Sequence, residues 1–556
     1  MAETNGSIIT ARALKNEGVD TIFFLTGGPI TPIIVAADKL GIRCVDCRHE
    51  QAAGFEAHAY ARVTGKPGIF VTASGPGTTN AVTSMANALT DCAPVILLGG
   101  ASAAVLFGKG GFQEIDQVAI FKPVTKWAER AIDAKRIPEI VSTAFRAVTT
   151  GRPGPAYIDL PSDILSDPVD EDLVSYPTGT RTAARPGGDP AQIKEAAELL
   201  AKAKKPIIIA GTGTFWSQSG PEFQEFVEKT NIPFFTMPQT RGIVPDDHDM
   251  SFLAARSKAF READVILVMG TRFNYMLAFA QAPRLNGDAK IIQVDIDASE
   301  IGHNRAVDVG IVGDCKVVFQ QLTDALGDRR KGASGEWIDT LRAQDAATKE
   351  KQEVQMESDA VPIHPLRLCK EVRDFLDRDA ILVVDGQEIL NFGRQSIPSF
   401  NPGSRLNSGP FGNIGTGLPF GIGAKVAKPE KQVLVLTGDG SFGFNSMELD
   451  SMSRNKINVI TVISNNAGWA AGAPAKKDEP GRYLGFSNYE GMAEAYGCYA
   501  ERVEKPEDIR PALERAAAAG RPALINVVVE SEVKVITQEF SSHKTDSIGQ
   551  KRTYEG

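Results

Sequence analysis

Residues 432–441, QVLVLTGDGS, set an apolar run ahead of Thr437, Gly438, Asp439, Gly440 and Ser441. A short run of this kind that ends on glycines and an acid reads as a strand with its turn residues at the C-terminal end. Residues 457–466, INVITVISNN, repeat the pattern and finish on Asn465 and Asn466, so that Asp439 and Asn466 lie 27 residues apart. One strand–helix–strand unit has that length, and it would bring both motifs to the same end of a parallel sheet, where open α/β sheets bind ligands. A carboxylate, an amide oxygen and a nearby backbone carbonyl suit a hard cation such as magnesium, which completes its shell with water and phosphate oxygens. The glycines let backbone amides approach phosphates. Gly-Asp-Gly alone is a common turn; the asparagine pair at one βαβ distance favours a ligand site.

Outward from this unit the chain keeps alternating strands with helical stretches, which implies parallel sheets covered on both faces. Residues 361–536 add the strands AILVVDG and PALINVVV. Residues 1–185 carry TIFFLTGG, CVDCRHE, GIFVTASGPG and AYIDLPS, then a Pro-, Gly- and Asp-rich link. Residues 190–330 hold KPIIIAG, ADVILVMG and AKIIQVDID. The expected fold is α/β, three doubly wound parallel-sheet domains, and the first and third share a strand-rich layout that suggests structural kinship. Residues 331–360 read as a linker containing a crossing helix. The polar tail 537–556 reads as a frayed end, with a lid over the site as its alternative.

A chain of 556 residues exceeds one hydrophobic core. Its 42% hydrophobic and 23% charged residues are those of a globular protein. With 60 basic against 69 acidic residues the net charge is −9, which argues against nucleic acid or an anionic membrane engaged through bulk charge. The opening MAETNGSIITARAL has neither a basic start nor an apolar core, so a cytoplasmic protein is expected. Six cysteines over this length read as reduced thiols, and the Cys44–Cys47 spacing, without a second pair or clustered histidines, reads as packing.

The Gly-Asp-Gly to Asn-Asn pattern resembles the signature of the thiamine-diphosphate-dependent enzymes, and the resemblance covers nearly the whole chain. It implies three domains of that family's type, the first binding the cofactor's pyrimidine and the third its diphosphate. Carried over residue by residue, it makes Asp439, the Asn466 side chain and the Gly468 carbonyl magnesium ligands. Gly440 and Ser441 would lie on the diphosphate, Gly386, Gln387 and Gly438 would also bind the cofactor, and Gly412 and Ile414, in GPFGNIGTG, would hold it bent. Glu50, in RHEQAAG, would hydrogen-bond the aminopyrimidine and assist loss of the thiazolium proton; read alone it is a charge at a helix start. Family members place this glutamate and the metal site on different chains, so the resemblance implies at least a homodimer, with a homotetramer expected.

Two stretches narrow the resemblance to 2-hydroxyacyl-CoA lyases and oxalyl-CoA decarboxylases. One is RGIVPDDHDMSFLAARSKAF, whose Arg256 and Ser257 would contact coenzyme A together with Arg394 in NFGRQ; guanidinium groups suit its phosphates. The other is GGFQEIDQ, where Gln113 and Glu114 are expected catalytic residues and Gln113 is lyase-like, since decarboxylases tend to carry tyrosine there. The resemblance then implies cleavage, or reverse formation, of the C1–C2 bond of a 2-hydroxyacyl-CoA, giving formyl-CoA and an aldehyde or ketone. Where these relatives usually read Asn-Gly-Ile-Tyr, this chain has Ala467, Gly468, Trp469 and Ala470, and Gly28 replaces a larger aliphatic residue. Lost volume and a lost phenol favour an apolar, branched substrate such as 2-hydroxyisobutyryl-CoA, which would yield acetone.

The alternatives are an acetolactate-synthase-like or benzaldehyde-lyase-like carboligase, an oxalyl-CoA decarboxylase, and a catalytically silent binding protein on the same fold. A dehydrogenase reading would rest on GTGTFW after KPIIIA, which lacks the third glycine of the dinucleotide fingerprint. The central domain is expected to take coenzyme A or a nucleotide. The remaining histidines, His58, His248, His303 and His364, read as packing or capping residues, with His543 in the tail.

Overall fold

The computed structural model describes residues 3–330, 335–469 and 477–533. Within it the two opening motifs form the neighbouring parallel strands Val433–Gly438 and Ile460–Asn465, with Gly438 opposite Ser464. Strand Ile381–Asp385 flanks the first of them, Asp385 opposite Thr437. The side chains of all three are almost wholly buried, as expected when helices cover both faces of a parallel sheet. Arg405–Leu406, Ala523–Val528 and Tyr499–Val503 complete a six-stranded sheet.

The first domain builds a second six-stranded parallel sheet in the order Arg43–Asp46, Thr21–Phe24, Gly68–Thr72, Val95–Ala101, Ala156–Pro161, Trp127–Arg130. Numbered by position within its own domain, each of these two sheets runs 2-1-3-4-6-5. The expected kinship of layout is therefore an identity of topology. The central domain has a five-stranded parallel sheet ordered Phe234–Thr236, Pro206–Ala210, Val265–Met269, Lys290–Asp295, Val309–Val312. The three doubly wound sheets agree with the expected fold class.

Several strands were not legible in the sequence. Phe234–Thr236, Arg405–Leu406 and Trp127–Arg130 lie at sheet edges and are short. An edge strand has too little period-2 pattern to stand out from a loop. Val95–Ala101 is central and fully buried. Its apolar run resembles a buried helix segment as much as a strand.

Helix Glu50–Thr64 starts at the N-cap His49, whose side chain accepts from Gln51 N–H, and packs along helix Gly417–Ala427 of the third domain. The approach is close: a Cβ on Gly423 would lie 2.2 Å from the Glu56 carbonyl oxygen. Phe55, Phe420, Ile422 and Val435 then share one core across the two domains. The crossing helix spans Gly335–Met356, with Trp337, Ile338 and Leu341 in the central core and Met356 in the core of the third domain. It is thus a packed strut rather than a loose link.

All six cysteines are free. Burial raises the Cys47 thiol well above its usual range, and its Sγ donates to the His49 and Phe24 carbonyls, which is packing chemistry. Among the described residues no helix is long and apolar enough to cross a membrane. Ala470 and the proposed lid, 537–556, lie outside the described residues.

Candidate active site

Three neighbouring strand ends, Asp385, Gly438 and Asn465, converge where the sheet order reverses between strands one and three, the crevice position of open α/β sheets. Asp385 ties the turn together, accepting from Gly386 N–H at 2.7 Å and Gly417 N–H at 2.8 Å. Asn465 is spent on structure: its Nδ2 donates to Asn526 Oδ1 at 3.0 Å, and its Oδ1 accepts from Ala467 N–H at 3.1 Å. Ala467 takes a left-handed φ of 64°, and the chain turns so that Asn466 and Gly468 both line the cleft. With them stand Gly386, Gln387, Ile414, Gly438, Asp439, Gly440, Ser441 and Trp469. Gly440 is required here, because a Cβ would meet the Trp469 ring at 2.7 Å.

Asp439 Oδ1 accepts from Gly440 N–H at 2.9 Å, while its Oδ2 is buried with no hydrogen-bond partner. Burial drives this carboxyl up to about 7 against the pull of the Gly440 and Gly468 amides. An orphaned buried acceptor costs about 1–3 kcal/mol, so the site is built for a ligand that the chain does not supply. Among the described residues no three His, Cys, Asp or Glu side chains gather to hold a metal. One carboxylate with an amide and a carbonyl fits a hydrated magnesium that takes its remaining ligands from phosphate and water. Gly412 adopts φ 75° in the same loop as Ile414 but is not among the cleft residues.

The cleft holds about 130 Å³, and every residue lining it comes from positions 365 to 529. Small-molecule sites run to roughly 300–1,000 Å³. The first-domain candidates stand elsewhere, beyond the C-terminal ends of the first sheet. Glu50 opens its helix at 7% exposure, and its Oε2 accepts from Asn80 Nδ2 at 3.0 Å. Gln113 has φ 58° and accepts from the Ser74 hydroxyl. Gly28 lies exposed in the loop after strand Thr21–Phe24. The chain's own Glu50 and its own Asp439 therefore do not share a cleft.

Residues 4–120 match the family model of the thiamine pyrophosphate enzyme N-terminal TPP binding domain, 193–322 the central domain, and 390–527 the C-terminal TPP binding domain. The chain belongs to the thiamine-diphosphate-dependent enzymes. Among its relatives, a probable acetolactate synthase of Mycobacterium bovis is 35% identical over 94% of this chain and 96% of the relative. A 2-hydroxyacyl-CoA lyase of Arabidopsis thaliana is 34% identical over 95% and 96%. Oxalyl-CoA decarboxylase of Escherichia coli K12 is 33% identical over 95% of each chain.

A second, larger cavity of about 490 Å³ opens between the central and third domains. It brings together Arg256, Ser257 and Arg394, three residues singled out from the sequence. Burial, with Arg394, Arg284 and Arg241 nearby, lowers the Arg256 guanidinium to about 10. Burial likewise lowers Arg394 to about 10, and its buried Nε has no hydrogen-bond partner. Arg241 is neutralised by Asp246, Nε to Oδ2 at 2.9 Å. Crowded, desolvated guanidinium groups of one sign favour an anionic ligand.

The sequence did not point to the cavity's third wall. Lys349, Gln352 and Met356 come from the crossing helix, and Asp345 on that helix accepts from Ala254 N–H at 2.8 Å, fixing the Ala254–Ser257 run. Glu388 in the first cleft was also missed; its Oε2 accepts from Asn466 Nδ2 at 2.9 Å. Glu114 turns out to be engaged within its own loop, where its carboxylate accepts from Gly108 and Gly111 N–H at 2.5 and 2.8 Å and is held below its usual range.

Proposed function

We propose that this enzyme cleaves, or in reverse forms, the C1–C2 bond of a 2-hydroxyacyl-CoA. The observation that carries the reading is the arginine-lined cavity beside the diphosphate cleft, large enough for part of a coenzyme A and electropositive where phosphates would lie. The nearly equal similarity to acetolactate synthases and acyl-CoA enzymes leaves this cavity as the discriminating feature.

Asp439, the Asn466 amide oxygen and the Gly468 carbonyl would hold magnesium. Gly386, Gln387, Gly438, Gly440 and Ser441 would surround the diphosphate, with Gly412 and Ile414 keeping the cofactor bent. When bound, thiamine diphosphate supplies the nucleophilic carbon and the cationic ring that accepts the electron pair of the breaking bond. Glu50 of a second chain would hold a proton at the aminopyrimidine nitrogen. Arg256, Ser257 and Arg394 would anchor the thioester, so that remote binding energy positions C1. Glu114 would set the loop that carries Gln113 towards the reacting carbons. The hydroxyl proton leaves as C2 becomes a carbonyl, and C1 takes up a proton to leave as formyl-CoA. The homodimer this requires is supported by the exposed Phe112 and Phe444 on the two half-sites, apolar surface that a second copy would cover.

The substrate side favours a branched acyl group, 2-hydroxyisobutyryl-CoA giving acetone. Gly28 adds no side chain there, and the Trp469 ring is stacked over Gly440 in the cleft.

The test is steady-state kinetics with 2-hydroxyisobutyryl-CoA, a straight-chain 2-hydroxyacyl-CoA and oxalyl-CoA, in the wild type, Arg256→Ala and Arg394→Ala. The branched thioester should give the highest kcat/KM. Each alanine should raise its KM by about tenfold or more, as loss of a charge-assisted hydrogen bond predicts, with kcat changed less. Unaltered saturation curves in both variants would reject the thioester site. Pyruvate condensation without thioester turnover would make the chain a carboligase, and oxalyl-CoA preference would remove the argument from space.

A further inference from the structure

We propose that Glu388 is a positioning residue that decides which face of the Asn466 amide meets the cation. The inference rests on reading the cleft around Asp439 as the magnesium–diphosphate site.

An asparagine can serve a cation only through its oxygen; turned over, it offers two N–H donors and repels the ion. Nothing in the covalent structure of Asn466 prefers one orientation. Its surroundings do. Glu388 is the first residue of helix Glu388–Ser396, which follows strand Ile381–Asp385. Asn466 follows strand Ile460–Asn465, and Val433–Gly438, which carries Asp439 at its end, runs between those two strands. Glu388 thus reaches across the mouth of the cleft to bond Asn466 Nδ2 at 2.9 Å. A carboxylate has only acceptors, so it takes the N–H side of the amide and rejects the oxygen side. The Asn466 Oδ1 is left turned inward, where it receives a long hydrogen bond from Gly468 N–H at 3.3 Å and keeps a lone pair for a ligand. Asp439 needs no such help, because its Oδ1 is fixed by Gly440 N–H and its Oδ2 has no other partner. Of the two side-chain ligands proposed for the ion, only the amide can present the wrong atom, and the short bond to Glu388, more than the long one from Gly468 N–H, is placed to prevent it.

The test compares Glu388→Met, which keeps length and removes the acceptors, with Glu388→Gln, which keeps an acceptor and removes the charge. Magnesium is titrated at saturating thiamine diphosphate and followed by tryptophan emission, since the Trp469 ring lies in the cleft. Turnover is measured at low and saturating magnesium. Glu388→Met should raise the half-saturating magnesium concentration about tenfold, the order of a lost charge-assisted hydrogen bond. Its turnover should recover at saturating magnesium, and its cofactor-free thermal midpoint should stay unchanged. Glu388→Gln should stay within about threefold of wild type, because its oxygen still accepts from Asn466.

Equal weakening in both variants would mean that the negative charge, not the orientation, matters, and would overturn the proposal. So would unchanged magnesium affinity in Glu388→Met, or turnover that saturating magnesium does not restore. Asp439→Ala run in parallel separates the two readings. If it too leaves magnesium binding intact, the cleft is not the metal site; if it abolishes binding while Glu388→Met does not, only the positioning role fails.

Discussion

Glu50→Gln is expected to keep thiamine diphosphate and lose at least about a hundredfold in turnover, the lower range for removing a positioned proton-transfer group. The residue is nearly buried at the start of its helix, with Asn80 donating to one of its oxygens. The other oxygen lies against Gly77, where a Cβ would come within 3.2 Å of it. The proposed role requires a group that can both accept and release a proton. Glutamine preserves the shape and the Asn80 contact but cannot exchange that proton. Cofactor affinity, set largely by the diphosphate side, should therefore stay close to wild type. The check is turnover in a magnesium-replete assay beside calorimetric titration of the cofactor. Near-normal turnover would remove Glu50 from the chemistry.

Asp439→Ala should have the larger effect on binding: affinity for thiamine diphosphate in the presence of magnesium is expected to fall by about a hundredfold or more. The alanine leaves the cation two neutral ligands, and a hard divalent ion without a carboxylate loses most of its hold on the diphosphate. Magnesium should then no longer improve cofactor binding. The cofactor-free variant should melt close to wild type, because the mutation removes the orphaned Oδ2 together with the Oδ1 that accepts from Gly440 N–H, two losses of opposite sign. Titrations with and without magnesium measure this directly, and unchanged metal-dependent affinity would reject the assignment.

Much of the fold could be read from the sequence because buried parallel strands are written as short, dense apolar runs. QVLVL, INVITVIS and KPIIIA stand out for that reason. Edge strands did not stand out, since partial exposure permits polar residues and erases the pattern; the crossing helix was legible, but its packing into two cores was not. At the candidate site, Asp439 and Asn466 were legible because one βαβ unit fixes their separation. Glu388 was not: an acid at a helix start ordinarily answers the helix dipole, and its partner lies 78 positions away across one intervening strand. Glu114 shows what sequence leaves out. Sequence places it beside Gln113, but only the folded loop reveals that two backbone amides already occupy its carboxylate.

The separation of Glu50 from the cleft that holds Asp439 has a consequence for mixtures of subunits. In the proposed pairing each catalytic centre takes its glutamate from one chain and its metal ligands from the other. Chains carrying Glu50→Gln and chains carrying Asp439→Ala are each expected to be inactive alone. Combined in one heterodimer, both lesions fall in the same centre, and the opposite centre receives an intact glutamate and an intact aspartate. Two dead preparations, unfolded and refolded together or coexpressed, should thus complement one another. If heterodimers form at random, half of all dimers carry one good centre, so activity should recover to about a quarter of wild type. Complete silence of a verified heterodimer would mean that the glutamate and the metal ligands act within a single chain.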